Sequence, residues 1–207
     1  MVIPGERQLG RVGAALVCGS IVLVLGDSIA YPLLIRAQDG SPPDSVAVVP
    51  FVSGYMLLMA LLLCLSLLGH PRLVTLRPAM LAAAAAGLLL LGFFALMSIG
   101  LPLFLAGILA AIAAAMSMAA RSSRRVVLSQ VVAGALAVTL LVGGFLVANR
   151  IIVCPPTGSM GGGGSGFLTP AYHYQCVNGT LTMYPGDCNG GFKGFDANGN
   201  PIMDAGC

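Results

Sequence analysis

The chain has 207 residues, of which 57% are hydrophobic and only 8% charged, and its mean hydropathy is +0.95. Soluble domains carry about a quarter charged residues, so this balance excludes an ordinary globular enzyme or binding module and points to an all-α polytopic membrane protein. The formal charge of +3 does not read as nucleic-acid binding, because seven of the ten Lys and Arg residues fall in segments that read as cytoplasmic and no basic patch is interleaved with aromatics.

Taken in order, the chain opens with Glu6, Arg7 and Arg11 before an apolar run begins at Val12. A secretory signal starts in the same way. Here, however, the run continues through Gly26-Asp27-Ser28 to Ile35, and no A-x-A-like site closes it, so a retained first span over 12–35 is expected. Cys18 lacks a convincing lipobox and reads as a buried, inert thiol. A loop with Asp39, Pro42, Pro43 and Asp44 follows, and Pro50 opens a second span over 50–68 that contains Cys64, read in the same way as Cys18. His70 to Arg77 then returns the chain to the cytoplasm. With no second ligand near it in sequence, His70 reads as an interfacial residue rather than a metal ligand.

Pro78 to Ala120 contains no Asp, Glu, Lys, Arg or His. At about 1.5 Å per residue this run would make roughly 65 Å of helix, about twice the ~30 Å hydrocarbon thickness of a bilayer. Ser98-Ile99-Gly100-Leu101-Pro102 is the natural break, giving spans over 78–98 and 102–120 joined as a tight hairpin. The Ala-rich fourth span is expected to pack centrally, because small residues let helix backbones approach closely in lipid. A fifth span covers 126–148. The arginines, at 7, 11, 36, 72, 77, 121, 124, 125 and 150, then satisfy the positive-inside rule with the N-terminus cytoplasmic and residues 150–207 exoplasmic, in a cell membrane. Nine Arg against one Lys, with heavy Ala, Leu and Gly usage, suits a GC-rich bacterial genome.

The last segment, 150–207, is of another kind. Four of the six cysteines lie in it: Cys154, Cys176, Cys188 and Cys207. An even number in a short exoplasmic segment reads as two disulfides, in any of three connectivities. Tyr172–Val177 and Thr180–Tyr184 flank Asn178-Gly179 and predict a β-hairpin, whereas Gly158–Gly166 reads as a flexible linker. The fold class expected is therefore a five-helix transmembrane bundle, 1–149, with a small disulfide-stapled, hairpin-containing tail, 150–207.

Motifs for chemistry are sparse. Asp196-Ala197-Asn198-Gly199-Asn200 begins like an EF-hand loop, with Asp204 at position nine. Pro201 then stands where Gly is needed and Cys207 where a Glu should close the site, so a plain turn is the better reading. The glycine run lacks the Lys of a phosphate-binding loop, and Asn178-Gly179-Thr180, a glycosylation sequon in form, reads as a turn. Ser159, Ser165 and His173 supply a hydrolase alphabet without a nucleophile-elbow context. Asp27 stands out. An ionisable group inside a span costs about 2.5 to 3.5 kcal/mol on insertion scales and flags function; otherwise Gly26-Asp27-Ser28 breaks the helix and Asp27 caps a short second segment. Depth matching from the outer surface, about 12 Å for Asp27, assigns Tyr55 or Thr139 as its hydroxyl partner, sets Ser20 and Tyr31 on its helical face, and leaves Gln130 too deep to reach.

The sequence thus predicts a non-catalytic accessory or interaction subunit that needs no cofactor or metal. Its partners would be the lipid bilayer and a membrane protein or a second copy, with no nucleic acid. A transporter or channel component using the intramembrane Asp27 is the alternative, and a membrane enzyme stands third.

Overall fold

The structure is a computed structural model and describes residues 10–37, 45–96, 100–119, 123–164 and 172–185. Five helices appear in it: α1 (Arg11–Ala37), α2 (Ser45–Leu67), α3 (Pro71–Phe94), α4 (Gly100–Ala119) and α5 (Arg124–Ala148). Each is long and apolar enough to cross a membrane, so the chain is by length and composition a multi-pass membrane protein. Its contacts fall into two compact units, Met1–Gly40 with Val49–Phe145, and Ser41–Val48 with Leu146–Cys207.

The helix ends differ from those expected, and proline accounts for most of the difference. Pro50 and Pro78, expected to open the second and third spans, both lie inside helices, which start at Ser45 and Pro71. Membrane helices tolerate such prolines because neighbouring groups and local adjustment re-satisfy the freed carbonyl. It is Pro71 that begins α3, behind an extended His70, so the α2–α3 connection is shorter than expected. Arg77, expected in a cytoplasmic loop, is instead a buried residue of α3, and its Nη2 donates to the Leu68 carbonyl at 3.3 Å, closing the turn. Gly26-Asp27-Ser28 does not break α1, which is continuous through it and through Pro32. The capping reading of Asp27 is therefore wrong.

The α3–α4 hairpin is as tight as expected, with the Gly100 N–H donating to the Ala95 carbonyl at 2.8 Å. Its two helices touch along glycine. A Cβ placed on Gly92 would lie 2.5 Å from the Phe104 backbone nitrogen, and one on Gly107 would lie 2.8 Å from the Leu89 nitrogen. Around these points the buried side chains are mostly small, among them Ala84, Ala85, Ala106, Ala110 and Ala113. In lipid no hydrophobic force draws helices together, so such backbone approach and the dispersion contact it permits must hold the pair. Helix α4 lies between α3 and α1, but the central place expected for it belongs to α3, the most buried of the five, because α4 leaves Leu101, Leu105, Ile108 and Ile112 exposed along one side. Ser20 of α1 donates to the Ala106 carbonyl of α4 at 2.9 Å, and Leu109 approaches Gly19.

On the other side of α3, the Tyr55 and Met59 side chains of α2 lie over Gly87, and Tyr55 donates to the Ala137 carbonyl of α5 at 3.0 Å. The Phe51 ring rests on Gly144. Leu81, Leu88, Met56, Met59 and Leu63 fill the space between.

In the second unit a three-stranded antiparallel sheet has the order β1 (Ser159–Gly164), β2 (Tyr172–Val177), β3 (Thr180–Pro185). The β2–β3 hairpin turns at Asn178 (φ 46°) and Gly179 (φ 81°), the left-handed pair that a two-residue loop requires. The linker expected over Gly158–Gly166 is corrected: Ser159–Gly164 forms a strand paired with β2. Ladder bonds need no side chains, and the Tyr174 ring covers Gly162 in place of the Cβ that glycine lacks. Cys154 and Cys176 form a disulfide, whereas Cys188 and Cys207, with the Asp196–Cys207 stretch, lie outside the described residues.

The glycine contacts make a direct test. Gly92→Ala should lower the stability of the detergent-solubilised protein by about 1–3 kcal/mol, the usual cost of overpacking, because the obstacle is backbone. Gly143→Ala, with nothing within 4 Å, should cost nothing measurable by thermal unfolding. Equal effects at the two positions would contradict the packing described.

Candidate functional site

Asp27 lies on the buried stripe of α1 that also holds Val17, Ser20 and Val24, at spacings of three and four residues. It is 8% exposed, and its Oδ2 has no hydrogen-bond partner among the described residues. The partners expected for it are not there. Tyr55 spends its hydroxyl on Ala137, and Thr139 is on the exposed side of α5, two residues from the buried Ala137 and Leu141. The reason is helix neighbourhood: the α1 stripe bonds to α4, whereas Tyr55 lies between α2, α3 and α5.

The depth of Asp27 changes as well. From the Ser20–Ala106 bond, seven residues along α1, about 10 Å, correspond to seven residues back along the antiparallel α4. That count ends one residue before Gly100, so Asp27 is level with the start of α4, at the end of the bundle where α3 turns into α4. Counting inward from the end of α1 had placed it deeper, because α1 is 27 residues long and α4 only 20. This is the level of the N-terminal end of α4, whose dipole amounts to roughly half a positive charge. Ser28 and Tyr31 flank it on α1; the Ser28 hydroxyl is spent on the Leu25 carbonyl. What this arrangement offers chemically is one carboxyl oxygen, shielded from solvent, able to hold a proton or accept a hydrogen bond.

Further buried polar groups were not picked out as site residues from the sequence. Gln130 of α5 is 6% exposed, and among the described residues neither its Nε2 nor the buried Ser53 hydroxyl of α2 has a partner. Gly134, one turn further along α5, approaches Ala82 and Ala86 of α3, so Gln130 is set toward the opposite end of the bundle from Asp27. The signal for both was simply a polar residue within an apolar run.

Cys18 and Cys64 are free thiols, as expected, but both are exposed on the outside of the bundle rather than shielded within it. A small apolar side chain is as well accommodated by lipid as by a core. In the sheet, Ser159 pairs with Val177 and His173 with Gly163. Those four register positions are about 13 Å, too far for the serine to pass a proton to the histidine directly. Among the described residues no cluster of His, Cys, Asp and Glu is arranged to hold a metal ion.

Comparison with protein-family models, with curated proteins and with solved structures finds no match to this chain.

The unpartnered oxygen predicts a stability change of unusual sign. Leaving a buried polar group unsatisfied costs about 1–3 kcal/mol, so Asp27→Val should raise the unfolding temperature and Asp27→Asn should leave it nearly unchanged. A clear loss of stability in Asp27→Val would mean that the carboxyl is held by a bond.

Proposed function

We propose that the chain is a non-catalytic accessory or interaction subunit of a membrane assembly, with its N-terminus cytoplasmic and its C-terminal segment exoplasmic in the cell membrane. The arginine distribution supports the orientation. The observation that carries the functional reading is the open edge of β3. Among the described residues β3 pairs with β2 alone. Val177 and Thr180 close the two-residue hairpin as a hydrogen-bonded pair, so the alternate residues Leu181 and Met183 turn their N–H and C=O groups outward. A sheet of this size is marginal by itself, and here one disulfide holds it rigid with a strand edge available. Edges of this kind accept an added strand from another chain, and main-chain hydrogen bonds then supply affinity.

Affinity purification in mild detergent, followed by mass spectrometry, tests this reading. A defined set of membrane proteins should co-purify with the wild-type chain. Leu181→Pro removes an outward N–H without touching the β2–β3 ladder, and should lose that set while keeping the Cys154–Cys176 bond. Identical recovery from wild type and Leu181→Pro would sink the edge as the interaction surface.

A second reading, a transport component that uses Asp27, is favoured by the buried, unpartnered Oδ2. It separates from the first by flux. Proton movement into vesicles containing the purified chain should then vanish in Asp27→Asn, whereas an accessory subunit would show none in either form.

A further inference from the structure

Residues 146–185 contain one charged side chain, Arg150. An aqueous segment of this length would carry about ten, at a quarter of its residues. The described part of this stretch nevertheless leaves large apolar side chains uncovered: Ile151 and Val153 in the connector that follows α5, and Leu181 (38% exposed) and Met183 (44%) on β3. The two strand residues share a face. Register and alternation put Leu181 and Met183 on the side of the sheet that carries Tyr172, Tyr174 and Cys176, whereas Thr180, Thr182, Gln175 and His173 are on the other, together with one exposed apolar residue, Val177 (43%), at the hairpin end.

This apolar side is also the side tied to the end of the last span. The Tyr172 hydroxyl donates to the Asn149 carbonyl at 2.9 Å, one residue beyond α5, and Cys176 is bonded to Cys154, five residues further on. Asn149 is by span length at the membrane–water boundary, and the two ties keep the sheet within a few residues' reach of it. From the near absence of charge, the two apolar β3 residues exposed on the face that is the more apolar of the two, and these two ties, we propose that the sheet rests on the bilayer where α5 ends. Its Leu181–Met183 side lies against the lipid headgroup and upper acyl region, and its threonine side faces water. The occupant of the apolar face is the lipid surface itself. Tyrosine suits that depth, its ring in the apolar layer and its hydroxyl bonded, and Arg150 lies at headgroup level, where its charge is tolerated. The open backbone edge of β3 remains free in the plane of the membrane, so this placement does not depend on the proposed accessory role.

The chain contains no tryptophan, so each single Trp variant carries one indole emitter. Leu181→Trp, Met183→Trp and Thr182→Trp would be reconstituted separately into phosphatidylcholine vesicles, with and without brominated acyl chains, after confirming the Cys154–Cys176 bond in each. The first two should be quenched several-fold more strongly by brominated lipid than Thr182→Trp and be protected from aqueous acrylamide; Thr182→Trp should show the reverse. Three equally acrylamide-accessible emitters, none quenched by brominated lipid, would overturn the proposal. So would Leu181→Trp and Met183→Trp shielded from both quenchers, which would mean that protein, a second copy of the chain included, covers the face. Two independent apolar positions keep the test valid if one variant fails to fold.

Discussion

The close approach of α3 and α4 at Gly92 and Gly107 is the contact on which the rest of the bundle depends. Without it the two helices would stand apart by at least the width of a side chain, and the short turn at Gly100 would not close. Water does not help here. In a lipid solvent an apolar side chain gains little by leaving its surroundings, so association rests on dispersion between closely fitted backbones and on a few polar bonds. The bundle has the latter on both flanks: Ser20 to Ala106 joins α1 to α4, and Tyr55 to Ala137 joins α2 to α5 across α3. Each such bond is worth about 0.6 kcal/mol in membranes, so they orient the helices more than they hold them.

This construction sets the surroundings of Asp27. Because α1 meets the hairpin through α4, the buried stripe of α1 is matched to α4 backbone and small side chains, which offer the carboxyl no side-chain donor. The Ser20 hydroxyl on the same stripe finds a carbonyl because a hydroxyl can donate to one; an ionised carboxylate cannot. Asp27 is thus an expensive residue in a place where nothing described compensates it except the end of a helix dipole. Such a group is either a liability tolerated near the membrane boundary or a working proton site.

Much of the fold was legible in the sequence. Apolar runs of about twenty residues gave the five helices, Gly100 gave the hairpin, and Asn178-Gly179 gave the β2–β3 turn. Helix ends were less so, because Pro50 and Pro78 were read as starts by the rules of water-soluble helices and both lie inside membrane helices. Strand β1 was hidden because four consecutive glycines carry no β-propensity; the signal was in its partner, where Tyr174 supplies the ring that covers Gly162. At the candidate site the sequence marked Asp27 but not its neighbours. Helices α2 and α3 have no face distinctly more apolar than the rest, so no stripe announces which neighbour each one faces, and matching by depth alone paired Asp27 with Tyr55 and Thr139 across helices that it does not meet.

The hairpin also fixes parity. Since α3 and α4 must begin and end on one side of the bilayer, five spans leave the start of α1 and the end of α5 on opposite faces, and the arginine distribution supports the proposed cytoplasmic side for the first. The most direct measurement is a pair of reporter fusions, one after Gly69 in the α2–α3 turn and one after Cys207. The account requires Gly69 to report cytoplasmic and Cys207 exoplasmic. A cytoplasmic signal from Cys207 would contradict it, because the Cys154–Cys176 bond would then lie in a reducing compartment and the parity of the spans would be wrong.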